Sequence, residues 1–395
     1  MSEAADPIVI VAYARTPMGG FQGAFSPVKA TELGSTAIKA ALERAAVQGE
    51  AVDKVFMGCV LPAGLGQAPA RQAALGAGLP KSVEAVTVNK VCGSGMQSAM
   101  FAHDMLRAGS ADVIVAGGME SMTNSPYLLS KHRAGARIGH DSVYDSMMLD
   151  GLEDAYEGKA MGLFAEDTAR TYQFTREMQD EFAIESLTRA KAAQASGAFD
   201  REIVPVEVKG RRGTETITAD EQPQKADPAK IPTLRPAFIP DGTVTAANAS
   251  SISDGAAALV LTRQSVADRL GLPVVARIVS HAAHAQEPSQ FTTAPIPAIR
   301  KALEKAGWSL ADVDLFEINE AFAVVPMAAM HDLSIPRDVL NVNGGACALG
   351  HPIGASGARV IATLLSALQT RGGKRGVASL CIGGGEGVAM ALELA

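Results

Sequence analysis

The sequence lacks any apolar run approaching the roughly 20 residues that a membrane-spanning helix needs, so no such span is expected. It also lacks a signal-peptide start. Acidic Glu3 and Asp6 lead directly into apolar Ile8 to Val11, with neither a basic opening nor a small-residue cleavage site, and a cytoplasmic protein is the expectation. Cysteine is scarce: Cys59, Cys92, Cys347 and Cys381 lie far apart and form no Cys-x-x-Cys pair. That spacing speaks against zinc and against a disulfide framework, and leaves free thiols in a reducing compartment. Positive charge is also in short supply. With 35 Lys and Arg against 42 Asp and Glu, a net charge of -7 argues against nucleic acid as the main partner.

What the chain does have is apolar content, 47%, and 39 glycines in 395 residues. This composition excludes extensive disorder, and the length exceeds what one hydrophobic core usually organises. Apolar runs at Ile8 to Ala12, Val55 to Gly58, Val86 to Val88 and Val113 to Ala116 alternate with helix-like stretches at Glu32 to Val47 and Gly95 to Arg107. This is an α/β pattern. It breaks near Met119 and gives way to a stretch richer in charge and proline, through Lys131, Arg133, Arg211, Arg212, Pro223, Pro228 and Pro232. An inserted lid is expected there, partly structured because helical periodicity returns at Arg176 to Ala195. The core pattern resumes by Asp254, with apolar runs at Ala257 to Leu261, Val274 to Val279, Leu315 to Ile318 and Gly376 to Ile382. A weak internal echo suggests duplication: Val88-Asn89 and Val342-Asn343 each precede a Gly-rich turn, a helix and a strand ending in glycines.

Four segments carry chemistry. In Val88-Asn89-Lys90-Val91-Cys92-Gly93-Ser94-Gly95 a strand-like run meets a glycine turn and then a helix, which places Cys92 at or just before a helix N-terminus. The helix end favours thiolate there, and the glycines leave N–H groups free for an oxyanion. An isolated cysteine is more often an inert core residue. A nucleophilic one needs a base, and His351 sits in the Gly/Pro-framed loop Cys347-Ala348-Leu349-Gly350-His351-Pro352-Ile353-Gly354 before a helix from Ala358 to Leu368. The other histidines, His103, His132, His140, His281, His284 and His331, lack such a frame and read as structural or surface residues. Ser379-Leu380-Cys381-Ile382-Gly383-Gly384-Gly385 ends a strand with a second thiol beside exposed amides. Glu317-Ile318-Asn319-Glu320-Ala321-Phe322 ends another with polar groups that either stabilise a turn or line a site.

Together and in this order, these segments resemble the thiolase family, and the resemblance runs from about Val9 to Glu393. It implies a duplicated, five-layered α/β/α/β/α fold. The N-terminal half would be residues 1–270, with an inserted loop (lid) domain at about 119–248, and the C-terminal half 271–395. It implies that Cys92 is acylated, that His351 activates it, and that Cys381 exchanges a proton with the α-carbon of the second acyl group. Asn319 would hold a water that forms one oxyanion hole with His351, and the amides of Cys92 and Gly383 would form the other. Arg235-Pro236-Ala237-Phe238, ahead of Ala249-Ser250, resembles a segment that contacts pantetheine, which marks Phe238, Ala249 and Ser250, with Met161 and Phe322, as substrate-binding candidates. Gly66 to Gln72 resembles a short-chain thiolase segment near a dimer interface. The implied activity is acetyl-CoA acetyl transfer, the partners are acetyl-CoA, acetoacetyl-CoA, CoA and further copies of the chain as a dimer of dimers, and no cofactor, metal or membrane is required.

The sequence departs from the family pattern in two places. The usual lid motif His-Met-Gly reads Ala160-Met161-Gly162, which makes room for chains longer than acetoacetyl and suggests a broader 3-ketoacyl-CoA thiolase as the alternative. Gln224 stands where many relatives place arginine, leaving Lys225 as the candidate for the nucleotide end of CoA. Related condensing enzymes lack the second cysteine, so Cys381 argues against them. A non-catalytic acyl-CoA-binding subunit would not need all four positions intact.

Overall fold

Strand β1 (Ile8–Arg15) is buried along its whole length, which explains why its sequence from Ile8 to Ala14 is apolar without a break rather than alternating. In the computed structural model, residues 6–210 and 213–395 are described; Glu3, Arg211 and Arg212 lie outside them. The other principal strands are β2 (Lys54–Gly58), β3 (Glu84–Val88), β4 (Val113–Ser121), β5 (Ser253–Arg263), β6 (Ala276–Ala285), β7 (Leu315–Ile318), β8 (Arg375–Ile382) and β9 (Glu386–Leu394). With the short Gly19–Gly20 strand they form one sheet in the order β7-β8-β9-β6-β1-β5-β4-β2-β3.

The two arms of this sheet repeat one connectivity. In the first, β3, β2 and β4 are parallel, β5 is antiparallel to β4, and β1 is antiparallel to β5. In the second, a bridge at Leu340, then β7 and β8, are parallel, β9 is antiparallel to β8, and β6 is antiparallel to β9. Within the sheet the arms join where Val9 pairs with Arg277 and Ile10 with Ala276. The echo in the sequence thus corresponds to a repeated topology.

Helices α1 (Ala30–Ala45) and α2 (Pro69–Gly76) cover the outer face of the first arm, and further on α6 (Pro295–Ala306) and α7 (Val324–Leu333) cover that of the second. Helices α3 (Ser94–Arg107) and α8 (Ser356–Arg371) lie between the arms. Every residue of α8 from Ser356 to Leu368 is buried, its polar Arg359, Thr363 and Ser366 included, as expected of a helix enclosed by sheets. The result is a five-layered α/β/α/β/α stack. The two central helices cross at their N-terminal ends: a Cβ on Gly95 would stand 2.6 Å from the Ala358 nitrogen, and one on Gly357 would stand 2.2 Å from the Met96 nitrogen. Only glycine allows the approach, and it sets the turn before α3 against the loop before α8.

Several strands extend beyond the apolar runs that mark them in the sequence: β1 to Arg15, β3 back to Glu84 and β5 over Ser253–Arg263. Strand β4 continues past Met119 because Ser121 still pairs with Asp254. Strand β6 runs beyond Val279 to Ala285, paired with β9 throughout; its outer part alternates buried and exposed side chains, so an apolar-run criterion stops early. Between β4 and β5 lie α4 (Met161–Tyr172), α5 (Arg176–Ser196, with the Thr175 hydroxyl capping Met178 N–H) and a hairpin, Val206–Gly210 with Gly213–Ile217. This segment is pinned to the end of β1 by the buried Arg15 guanidinium, 2.6 Å from Glu202 and 2.7 Å from Asp220. Removing one member of such a pair costs roughly 3–5 kcal/mol.

Candidate active site

The turn before α3 is built by side chains on backbone. Asn89 Oδ1 accepts from Val91 N–H at 3.0 Å, while Ser94 Oγ accepts from Lys90 N–H at 2.8 Å and donates to Val91 O at 2.6 Å. These bonds hold β-branched Val91 at φ 44°, a left-handed conformation that costs about 1–3 kcal/mol and lifts the next residue out of the strand direction. That next residue is Cys92. Burial pushes its thiol up to about 11, against the opposing pull of the Gly383 and Cys92 backbone amides. The expected thiolate is therefore corrected: desolvation outweighs the helix end, and the resting group is a thiol.

His351 is buried, and its backbone N–H is 3.2 Å from both Ser251 O and Ser253 Oγ. Burial, and secondarily Arg359, lowers its pKa to about 3, so the ring is neutral. Nδ1 lies 2.6 Å from Ser356 Oγ, whereas Nε2 is buried without a partner among the described residues. Asn319 is held beside it. Its Nδ2 is 3.4 Å from His351 Nδ1, and its Oδ1 accepts from Arg359 at 3.0 Å, which orients the amide. Arg359 also pairs with buried Glu317 at 2.7 Å, and burial nonetheless pushes Glu317 up to about 8.

Cys381 is fully buried at the end of β8, its thiol raised first by burial and then by the neighbouring Cys92 sulfur. The remaining thiols face carboxylates: burial and Glu120 raise Cys59, and burial and Glu320 raise Cys347. Glu120 also braces the site. Its carboxylate accepts from Val60, Leu61 and Gly354 N–H at 2.9, 3.1 and 2.9 Å, linking the end of β2 to the loop that carries His351.

Cys92, His351 and Gly383 line one cavity of about 410 Å³, walled by Met161, Phe238, Ala249, Ser250 and Phe322. Ala160 lies on the same wall. Phe238 and Phe291 each pack edge-on against Phe322, at centroid distances of 6.2 and 6.3 Å, and a Cβ on Gly162 would strike the Phe238 ring at 2.2 Å. Ser250 N–H bonds Ala321 O at 3.0 Å, while Ala249 bridges Phe322. Asn319 and Cys381 stand behind the lining rather than in it. Lys225 lies outside the lining as well, in a short helix where its ammonium pairs with Glu221. Met122, Met148, Leu152 and Phe291 also line the cavity and went unrecognised in the sequence. They carry no local motif and are brought to the cavity only by folding.

Two sequence models match the chain: thiolase, N-terminal domain, over residues 8–265, and thiolase, C-terminal domain, over 272–394. It is 54% identical to acetyl-CoA acetyltransferase 2 of Arabidopsis thaliana, covering 100% of this chain and 99% of that one. It is 52% identical to the acetyl-CoA acetyltransferase of Escherichia coli (98% of each) and 48% identical to the cytosolic acetyl-CoA acetyltransferase of Mus musculus (100% of each). The crystal structure of the Bacillus anthracis acetyl-CoA acetyltransferase superposes with a TM-score of 0.97 at 43% identity, covering all of both chains. Similar from end to end in sequence and in fold, the chain belongs to the thiolase family.

Proposed function

We propose that this protein is an acetyl-CoA acetyltransferase, which condenses two acetyl-CoA to acetoacetyl-CoA and CoA, or runs the reverse thiolysis, through an acyl group on Cys92. The observation that carries this reading is the buried His351 Nε2, without a partner among the described residues, on the same cavity as Cys92 and the Gly383 amide, with Cys381 beside Cys92. The relatives' activity supports it.

In this scheme Cys92 sulfur attacks the thioester carbonyl as its proton passes to His351 Nε2. The tetrahedral oxyanion is held by the Cys92 and Gly383 amides. Collapse breaks the carbon–sulfur bond to CoA, and the leaving thiolate takes the proton of Cys381. An imidazolium and a thiolate are thereby created together, so the dry site gains no net charge. The Cys381 thiolate then removes an α-proton from a second acetyl-CoA. His351, with a water held by Asn319, stabilises the enolate oxygen. The enolate carbon bonds to the acetyl carbonyl, the bond to Cys92 breaks, and Cys92 takes its proton back from His351. Every group ends as it began, and no cofactor enters.

Phe238, Ala249, Ser250, Met161 and Phe322 would hold the pantetheine arm and acyl group, and Lys225 the nucleotide end. The insertion at about 119–248 would act as the lid between halves 1–270 and 271–395. A homodimer, assembled further as a dimer of dimers, and a cytoplasmic location complete the proposal. No helix among the described residues is long and apolar enough to cross a membrane, and one of the similar proteins is named as cytosolic.

Ala160 on the cavity wall favours a range that extends beyond acetoacetyl-CoA. The test is incubation with acetyl-CoA followed by peptide mass mapping, with thiolysis measured across 3-oxoacyl chain lengths. One acetyl group on Cys92 and turnover of short chains are expected. Acetylation at Cys381 or Cys347, or none, overturns the nucleophile assignment, and a strong preference for long chains overturns the acetyltransferase reading.

A further inference from the structure

Far from the Cys92 cavity, the structure gathers two histidines and a carboxylate. His103 and Asp104 lie near the C-terminal end of α3, and His281 lies on β6. His103 is nine residues beyond the start of α3 at Ser94, roughly 13 Å along the helix. His281 Nε2 is 3.1 Å from His103 Nδ1 and 2.9 Å from Asp104 Oδ1, and His103 Nδ1 is 2.9 Å from the same oxygen. The rings meet edge-on at 85°.

Protons cannot satisfy this triangle. The carboxylate only accepts, so bonding both histidines to it places two N–H groups against each other along the 3.1 Å edge. Giving the proton to one histidine alone leaves the other facing the carboxylate lone pair to lone pair. At most two of the contacts are hydrogen bonds in any protonation state. A cation at the centre uses all three atoms as lone-pair donors.

The geometry points to a divalent transition-metal site formed by His103 Nδ1, Asp104 Oδ1 and His281 Nε2, with water completing a tetrahedron. The donor set of two imidazoles and a carboxylate suits zinc. Ligands at about 2.0–2.1 Å from zinc stand ~3.3 Å apart in a tetrahedron, so the triangle has only to open by a few tenths of an ångström. His103 is buried and His281 half-buried at this site. Asp104 is exposed at 61% of its side chain and leaves a path for the ion and its water. Arg107 opposes a cation, while the Lys305 ammonium is turned away onto His281 O at 3.0 Å. Because α3 belongs to the first repeat of the fold and β6 to the second, the ion would tie the two together away from the chemistry.

The experiment uses the full chain without a histidine tag, stripped with chelator and titrated with Co²⁺ and then with competing Zn²⁺, alongside thermal unfolding. One Co²⁺ per chain is expected, with the absorption of a tetrahedral nitrogen/oxygen site, displacement by Zn²⁺ and a raised unfolding temperature. His281→Gln and Asp104→Asn should each weaken binding roughly tenfold or more and abolish the thermal shift, with acetyl transfer unchanged in the absence of metal. A thiolate-to-cobalt charge-transfer band, which would place the ion on a cysteine, overturns the proposal. So does the absence of saturable binding, or wild-type affinity in both variants.

Discussion

The Ser356 hydroxyl lies 2.6 Å from His351 Nδ1 and donates to Pro352 O at 3.0 Å. When its proton points to Pro352 O, Nδ1 carries the imidazole proton and Nε2 is a bare lone pair, as a base requires. Once Nε2 takes the Cys92 proton the ring is an imidazolium, Nδ1 still donates to Ser356 Oγ, and Nε2 becomes a donor, as an oxyanion requires. Ser356→Ala removes this partner while keeping the ring buried. Its kcat should fall by about 10–100-fold, with KM nearly unchanged, as steady-state condensation kinetics would read. A wild-type kcat in Ser356→Ala would assign the tautomer to another group.

Because the resting pair is a thiol and a neutral imidazole, Cys92 should not behave as a preformed ion pair. Its alkylation by iodoacetamide should keep accelerating from pH 7 to pH 10, toward its elevated value of about 11. A rate plateau below pH 8 would mean resident thiolate.

Cys381→Ser should abolish solvent deuterium exchange into the methyl group of acetyl-CoA while leaving acylation of Cys92 largely intact. A serine hydroxyl is far less acidic than a thiol and is rarely ionised. Exchange at the wild-type rate would reduce Cys381 to a structural thiol.

His351 also links stability to pH. Its folded value of about 3 lies below the ordinary 6.5, so the unfolded chain binds the extra proton first. Stability from this group is complete above pH 6.5 and is lost as pH falls toward 3. Between pH 7 and 5.5 the loss is about 1 kcal/mol. Denaturant midpoints at the two values should differ more for the wild type than for His351→Asn; equal differences would show that the ring is not buried neutral.

Ala160→His should narrow turnover toward acetoacetyl-CoA relative to the five- and six-carbon 3-oxoacyl-CoAs, because it fills and polarises the cavity wall on which Ala160 lies. An unchanged chain-length profile would remove this position from specificity.

Much of the site was legible locally. Asn89, Ser94 and the flanking glycines are close enough in sequence to build the Cys92 turn by themselves, and the His351 loop is framed in the same way by Gly350, Pro352 and Gly354. Hydrophobic period and turn residues likewise foretold most strands and the repeated order of elements, since these depend on short-range sterics and on which faces must be buried.

What the sequence determined by itself was therefore each motif and its residue types; their protonation states and neighbours were decided only in three dimensions. The helix start at Cys92 argued for thiolate, but desolvation by the packed cavity keeps it a thiol. The approach of α3 and α8 through Gly95 and Gly357 unites turns more than 250 residues apart in sequence. Phe291, Met148 and the His103–Asp104–His281 triangle carried no local mark at all. Burial, electrostatic environment and long-range adjacency are properties of the packed chain, and no window of sequence contains them.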